Sequence, residues 1–197
     1  MIRVAVLVSG GGTNLQALID AEKAGQILPG KLSLVISNKP GVKALDRAEK
    51  AGIPAAVVES AGKTQAEFDA ELDRVLCENG IEIVVLAGFL RVLGEAFVKK
   101  YDRRIINVHP SLIPSFCGDG FYGLRVHEAA LARGVKVTGA TVHFVNEITD
   151  GGEIILQKAV SILPGDTAES LQLRVMEQAE WIILPKALQL VCAEYKK

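Results

Sequence analysis

Short aliphatic runs alternate with helical patterns along most of this 197-residue chain, and that alternation restricts the fold more than any other feature. Ile2 to Val8, Leu32 to Ser37, Ala55 to Val58 and Ile81 to Ala87 read as strands. The nearly all-aliphatic run from Ile81 has the character of a strand covered on both faces. Periodic segments separate them: Leu15 to Ala24, with Thr13 or Asn14 as cap; Val42 to Ala51, closed by Gly52; and Gln65 to Glu78, with Phe68, Leu72, Val75 and Leu76 on one stripe. Glu95 to Lys100 predicts a short helix ahead of an Ile105 to Val108 strand. Such alternation implies right-handed βαβ units and a parallel sheet, an α/β protein.

After Pro110 the rhythm changes. Residues 110–123 are rich in Pro, Ser, Gly and Phe and predict a long loop before a Val126 to Ala132 helix. Val137 to Val145 and Ile154 to Ile162 are extended runs, separated by a segment too long for a two-residue hairpin. Asp166 and Glu169 suggest a capping box for a final helix carrying Leu171, Val175 and Ile182, which Pro185 should kink or restart near Lys186.

Composition narrows the function. The 22 basic and 23 acidic residues nearly cancel, which disfavours a nucleic-acid partner. Cys77, Cys117 and Cys192 lack paired spacing and fit a reducing cytosol. Met1-Ile2-Arg3-Val4 enters a strand without a cleavable signal pattern, and the apolar runs are too short to span a bilayer. A cytoplasmic protein that does not engage membranes is expected.

The chemistry is expected around Asn107-Val108-His109-Pro110-Ser111. Successive strand side chains alternate in direction, so Asn107 and His109 share a face and Val108 turns to the core. Pro110 ends the strand and leaves the imidazole at its carboxyl edge. A titratable ring beside a neutral amide suits proton transfer and stabilisation of an oxyanion; the alternative is a histidine satisfied by local hydrogen bonds. Asp150, before Gly151 and Gly152, is either a turn residue or, if it approaches His109, a carboxylate that raises the imidazole pKa.

Ser9-Gly10-Gly11-Gly12-Thr13-Asn14 follows the first strand and opens a helix, which fits one phosphate ester. It is not a dinucleotide fingerprint: Leu15 stands where the third glycine belongs, and Ser37-Asn38-Lys39 offers no acid for a ribose. Gly62-Lys63-Thr64 reads as solvated loop, because Val57 replaces the leading P-loop glycine. His127 and His143 read as packing or surface residues, and no His/Cys spacing predicts a metal site. Arg91 either lines a pocket or is a surface charge.

Five motifs, Ser9 to Asn14, Leu86 to Arg91, Asn107 to Pro114, Gly139 to His143 and Asp150 to Gly152, occur in an order and spacing that resemble the phosphoribosylglycinamide formyltransferases, folate-dependent enzymes of purine biosynthesis. The resemblance covers essentially the whole chain. It implies a single-domain, Rossmann-like three-layer αβα fold whose mostly parallel sheet of about seven strands ends in an antiparallel portion. Residues 1–100 would form a phosphate-binding half and 101–197 a folate and catalytic half. Gly12, Thr13 and Asn14 would hold the ribonucleotide phosphate, and Glu180, with Glu177 as the alternative, the ribose. Leu90, Arg91, Val92, Leu93 and Asn107 would meet the folate. Asn107, His109 and Asp150 would catalyse formyl transfer from 10-formyltetrahydrofolate as co-substrate, Asn107 and His109 stabilising the oxyanion and Asp150 raising the His109 pKa. No metal, nucleic acid or membrane is implied, and the protein would be a monomer or homodimer.

The chain departs from the family pattern at three places. Gln65 stands where a basic residue near the folate tail is usual, with Lys63 as the nearby cation; the segment from Cys117 to Arg125 is longer; and Trp181 replaces a histidine. Two alternatives follow from other chemistry: a 10-formyltetrahydrofolate hydrolase, against which the phosphate loop argues, and a non-catalytic nucleotide- or folate-binding protein, which has no chemical need for Asn107, His109 and Asp150 together.

Overall fold

A computed structural model describes residues 1–196. Its one sheet has seven strands in the order β3-β2-β1-β4-β5-β6-β7. β1 (Ile2–Val8), β2 (Gly30–Ser37), β3 (Ala55–Val57), β4 (Ile83–Leu86) and β5 (Ile105–His109) are parallel; β6 (Val137–Phe144) and β7 (Ile154–Ser161) continue antiparallel. Alternation along β1 explains the layers. Val4, Val6 and Val8 enter one core with α1 (Thr13–Lys23), α2 (Lys43–Lys50), α6 (Ala168–Val175) and α7 (Trp181–Tyr195), while Ala5 and Leu7 enter the other with α3 (Gln65–Glu78) and α4 (Glu95–Lys100). This is the expected three-layer arrangement. α5 (Leu124–Arg133) precedes β6. No described helix is long and apolar enough to cross a membrane.

Several boundaries differ from expectation for local reasons. Gly12, in the left-handed region at φ 72°, is the N-cap of α1, and neither Thr13 nor Asn14 caps it; the Asn14 amide is drawn instead to Glu180. β4 begins at Ile83, not Ile81, because the Ile81 N–H closes α3 on the Leu76 carbonyl while Gly80 turns at φ 59°. The box at α6 is Thr167 with Ser170, not Asp166 with Glu169; the Asp166 carboxylate is taken by the Leu163 N–H and Arg174. Pro185 lies inside α7. The irregularity is a π turn over Met176–Glu180, which ends just before the Trp181 carbonyl that Pro185 cannot bond.

The sheet order reverses between β1 and β4, since the chain runs outward through β2 and β3 and then returns to the other side. Loops at the carboxyl ends of β1, β4 and β5 diverge there, which is where open α/β sheets bind ligands.

Close approach of β6 to β7 fixes Gly139: a Cβ there would sit 2.1 Å from the Lys158 carbonyl oxygen. Gly139→Ala should therefore destabilise the protein by about 1–3 kcal/mol, the usual range for forced overpacking. An unchanged urea midpoint would show that the two strands can separate without loss.

Candidate functional site

β5 ends in His109, and Pro110 stops the ladder. Asn107 and His109 face the same side, opposite His143 and Thr141 of antiparallel β6, while Ile106 and Val108 enter the core beside Val142 and Phe144. The segment after β5 is tied to β6: the Thr141 hydroxyl donates to the Ser111 carbonyl at 2.7 Å, and the Ile113 N–H donates to Thr141 Oγ1 at 3.1 Å. The loop after β6 then carries Asp150 back over β5, with φ 54°, a left-handed conformation that Asp tolerates better than most residues.

The Asp150 carboxylate joins the groups. Oδ2 lies 3.4 Å from His109 Nδ1 and accepts from the Gly118 N–H at 2.9 Å. Oδ1 accepts from Asn107 Nδ2 at 3.4 Å and lies 3.6 Å from His143 Nε2, an electrostatic contact rather than a hydrogen bond. The His109 Nε2–H donates to the Phe116 carbonyl at 2.9 Å. Asn107, His109 and Asp150 thus come together as expected, and His143, expected to be a packing or surface residue, joins them.

His143 left a signal in the sequence. Along β6, Ala140, Val142 and Phe144 are apolar and Thr141 and His143 polar, and two polar side chains inside a strand next to β5 call for polar partners. His127 is a buried packing residue with neither ring nitrogen partnered, and burial pushes its pKa down to about 4.

Asp150 acts on the His109 ring in the expected direction, but burial outweighs it. Burial lowers the His109 pKa, and the opposing effects of Asp150 and the Phe116 carbonyl do not overcome it, so the net direction is down. For Asp150 the balance runs the other way. Burial pushes the carboxyl up, but the His143 ring, the His109 charge and the Gly118 N–H together hold it below the usual carboxylate range.

The glycine loop sits on the same sheet edge, at the end of β1, two strands from β5 and so about 10 Å away. Ser9 anchors it, donating to Asn38 Oδ1 at 2.7 Å and accepting from the Leu90 N–H at 3.0 Å. Gly12 has little freedom: an added Cβ would meet Ala44 Cβ at 2.7 Å. Among the described residues no hydrogen bond uses the N–H of Gly10, Gly11, Gly12 or Thr13. Four free donors at a helix start suit an anion.

Behind this loop the Asn14 amide donates to Glu180 Oε2 at 2.7 Å. Trp181 and Thr13 border a groove of about 810 Å³ between α1 and α7, and His109 and Asp150 do not line it. Leu90 to Leu93 follow β4, between the glycine loop and β5; Leu90 and Val92 are exposed, Leu93 is buried, and the Arg91 guanidinium stacks over Phe68. Lys63 pairs with Glu71, Gln65 donates to Asp69, and Thr64 caps α3, so this stretch is a helix start and not a phosphate loop. No described cluster of three or more His, Cys, Asp or Glu side chains could hold a metal ion.

Comparison with known proteins gives a consistent picture. The formyl transferase family model matches residues 2–188. The chain is 40% identical over 190 residues, 96% of its length and 86% of the relative's, to a phosphoribosylglycinamide formyltransferase of Haemophilus influenzae. It is 51% identical over 192 residues, 97% of its length, to the trifunctional purine biosynthetic protein adenosine-3 of Bos taurus, of which it spans only 18%. The crystal structure of glycinamide ribonucleotide transformylase 1 from Symbiobacterium toebii superposes with a TM-score of 0.91 at 42% identity, covering 98% of this chain and 89% of that one.

Burial pushes the Glu180 carboxyl up to about 7 from 4.5, against the lowering effect of the Asn14 hydrogen bond. As pH rises from 4.5 to 7 the unfolded chain releases this proton and the folded chain keeps it, so stability falls across that window. Glu180→Gln should remove the loss, gaining on the wild type by an amount on the order of 3 kcal/mol between those limits. A stability difference that does not vary with pH in chemical denaturation would mean the carboxyl ionises at its ordinary pH.

Proposed function

The chain belongs to the formyl transferase family, and we propose that it transfers a formyl group from 10-formyltetrahydrofolate to the amine of 5-phosphoribosylglycinamide, releasing tetrahydrofolate and the formylated ribonucleotide. The observation that carries this reading is the pairing of an imidazole–carboxylate–amide cluster with a cradle of free N–H groups on one sheet edge. In this reading Gly12, Thr13 and Asn14 hold the phosphate and Glu180 the ribose. Leu90 to Leu93 and Asn107 border the folate. The first half of the chain then mainly serves the ribonucleotide and the second half the reacting groups.

The amine nitrogen attacks the formyl carbon, a C–N bond forms and the carbonyl electrons move to oxygen. The His109 Nε2–H that donates to the Phe116 carbonyl becomes the donor to that oxyanion when the formyl oxygen takes the carbonyl's place. Asn107 is the second donor to that oxyanion, as the resemblance implies; its Nδ2 stands beside His143 Nε2 and Asp150 Oδ1 and turns from them to the formyl oxygen when the substrate arrives. Collapse breaks the bond to the folate nitrogen, which receives the proton the amine gives up. Asp150 stabilises whatever positive charge the His109 ring acquires on the way.

The direct test is incubation with the ribonucleotide and the formyl folate, following folate release. Release that requires the ribonucleotide supports transfer, and release without it supports the hydrolase. His109→Ala should lower kcat by at least about 100-fold, as expected for loss of an oxyanion donor or general acid; near-full turnover would remove His109 from the chemistry. Asp150→Asn deletes the one carboxylate that raises the His109 pKa, so the pH–rate limb belonging to that ring should move to lower pH. A profile with an unmoved limb would leave Asp150 as a turn residue.

A further inference from the structure

We propose that Arg47 is a positioning residue for the glycine loop: by holding the Gly11 carbonyl from behind, it turns the Gly12 N–H toward the phosphate of the substrate. The loop lies against α2. A Cβ added at Gly12 would meet Ala44 Cα at 2.9 Å and Arg47 Cδ at 3.3 Å, whereas one added at Gly10 or Gly11 would meet nothing within 4 Å. The loop is therefore covered at Gly12 and open before it.

The carbonyls of this turn are occupied in series. Gly10 O accepts from the Ala44 N–H at 3.1 Å, Gly11 O accepts from the Arg47 Nε–H at 2.9 Å, and Gly12 O accepts from the Gln16 N–H at 2.9 Å. In a trans peptide the C=O and the following N–H point in opposite directions, and none of these peptides is cis. Bonds that take the carbonyls of Gly10, Gly11 and Gly12 thus turn the N–H groups of Gly11, Gly12 and Thr13 the other way. Backbone donors make the first and last of these bonds; the middle one comes from a side chain, so a substitution can remove it. The guanidinium is itself fixed. Its Nη1 donates to Gln16 Oε1 at 3.0 Å, and Gln16 Nε2 donates to Asp20 Oδ1 at 2.9 Å.

The peptide held by Arg47 joins two glycines, whose torsions meet few steric limits. Released, it would have to be ordered by the ligand at a cost in affinity. An anion seated on the N–H groups faces this peptide from the side opposite Nε. Arg47 therefore acts through the peptide and not by touching the phosphate.

Two neutral replacements separate the hydrogen bond from the charge. Gln carries Nε2 as many bonds from Cα as arginine carries Nε, so Arg47→Gln keeps a donor for Gly11 O; Arg47→Met keeps the stem and loses the donor. The proposal rests on the phosphate reading of this loop, so binding is measured apart from turnover. With 15N-labelled protein titrated with ribose 5-phosphate, the amide signals of Gly11, Gly12 and Thr13 should shift saturably. Arg47→Met should weaken this binding by at least about tenfold, and Arg47→Gln by no more than about threefold. In the transfer assay the Met variant should raise KM for the ribonucleotide by at least about tenfold, with kcat and the formyl-folate KM within about twofold of the wild type.

Equal losses in the Met and Gln variants would mean that Arg47 acts by its charge, and wild-type affinity in the Met variant would mean that the loop holds itself; either overturns the proposal. A fall in kcat at unchanged ribonucleotide KM overturns it as well. If the wild-type loop amides answer to ribose 5-phosphate but no ribonucleotide-dependent transfer appears, the formyl-transfer reading falls and this one stands. Transfer with loop amides that do not respond overturns this one alone. Arg47→Ala takes the place of the Met variant if that does not fold.

Discussion

The antiparallel pairing of β6 with β5 is the constraint on which the site depends. A parallel neighbour of β5 would need a long crossover; an antiparallel one sets Asn107 against His143 and His109 against Thr141 directly across the ladder, and its following loop can fold back over the same edge with Asp150. Register matters as much as direction. A slip of one residue would turn the polar face of β6 into the core and bring Val142 to the site.

A buried carboxylate is tolerable only when its charge is met. Asp150 is met from three sides, by the His109 ring, by the Asn107 amide and by the Gly118 N–H. This explains how the loop holds a left-handed aspartate over the strand. It also explains why burial and ion pairing oppose each other at His109: the enclosure that makes the contact strong also disfavours a charged ring. The glycine loop needs no such compensation, since its donors are backbone N–H groups at a helix start with the switch point of the sheet beside them.

Much of this was legible in the chain, because period and punctuation carry most α/β topology. α3 and α4 have the bounds their patterns predict, Gly52 turns at φ 69° after α2, and Pro110 ends β5. Spacing also fixed the shared direction of Asn107 and His109. What could not be read was set by partners distant along the chain. Asn14 leaves capping to Gly12 because Glu180, 166 residues away, takes its amide. The fall in the His109 pKa depends on how completely the 115–118 segment and Asp150 cover the ring, and composition does not report coverage. His143 was missed because a lone histidine in an alternating strand acquires meaning only when the strand beside it is known.

For the proposed chemistry to occur, one substrate must bridge the glycine loop and the β5–β6 cluster. A crystal structure with glycinamide ribonucleotide bound tests this most directly. Phosphate oxygens should lie within about 3 Å of the N–H groups of Gly11 to Thr13, with the glycine amine beside Asn107 and His109. A phosphate seated elsewhere, in the α1–α7 groove for example, or an amine turned away from His109, would contradict it.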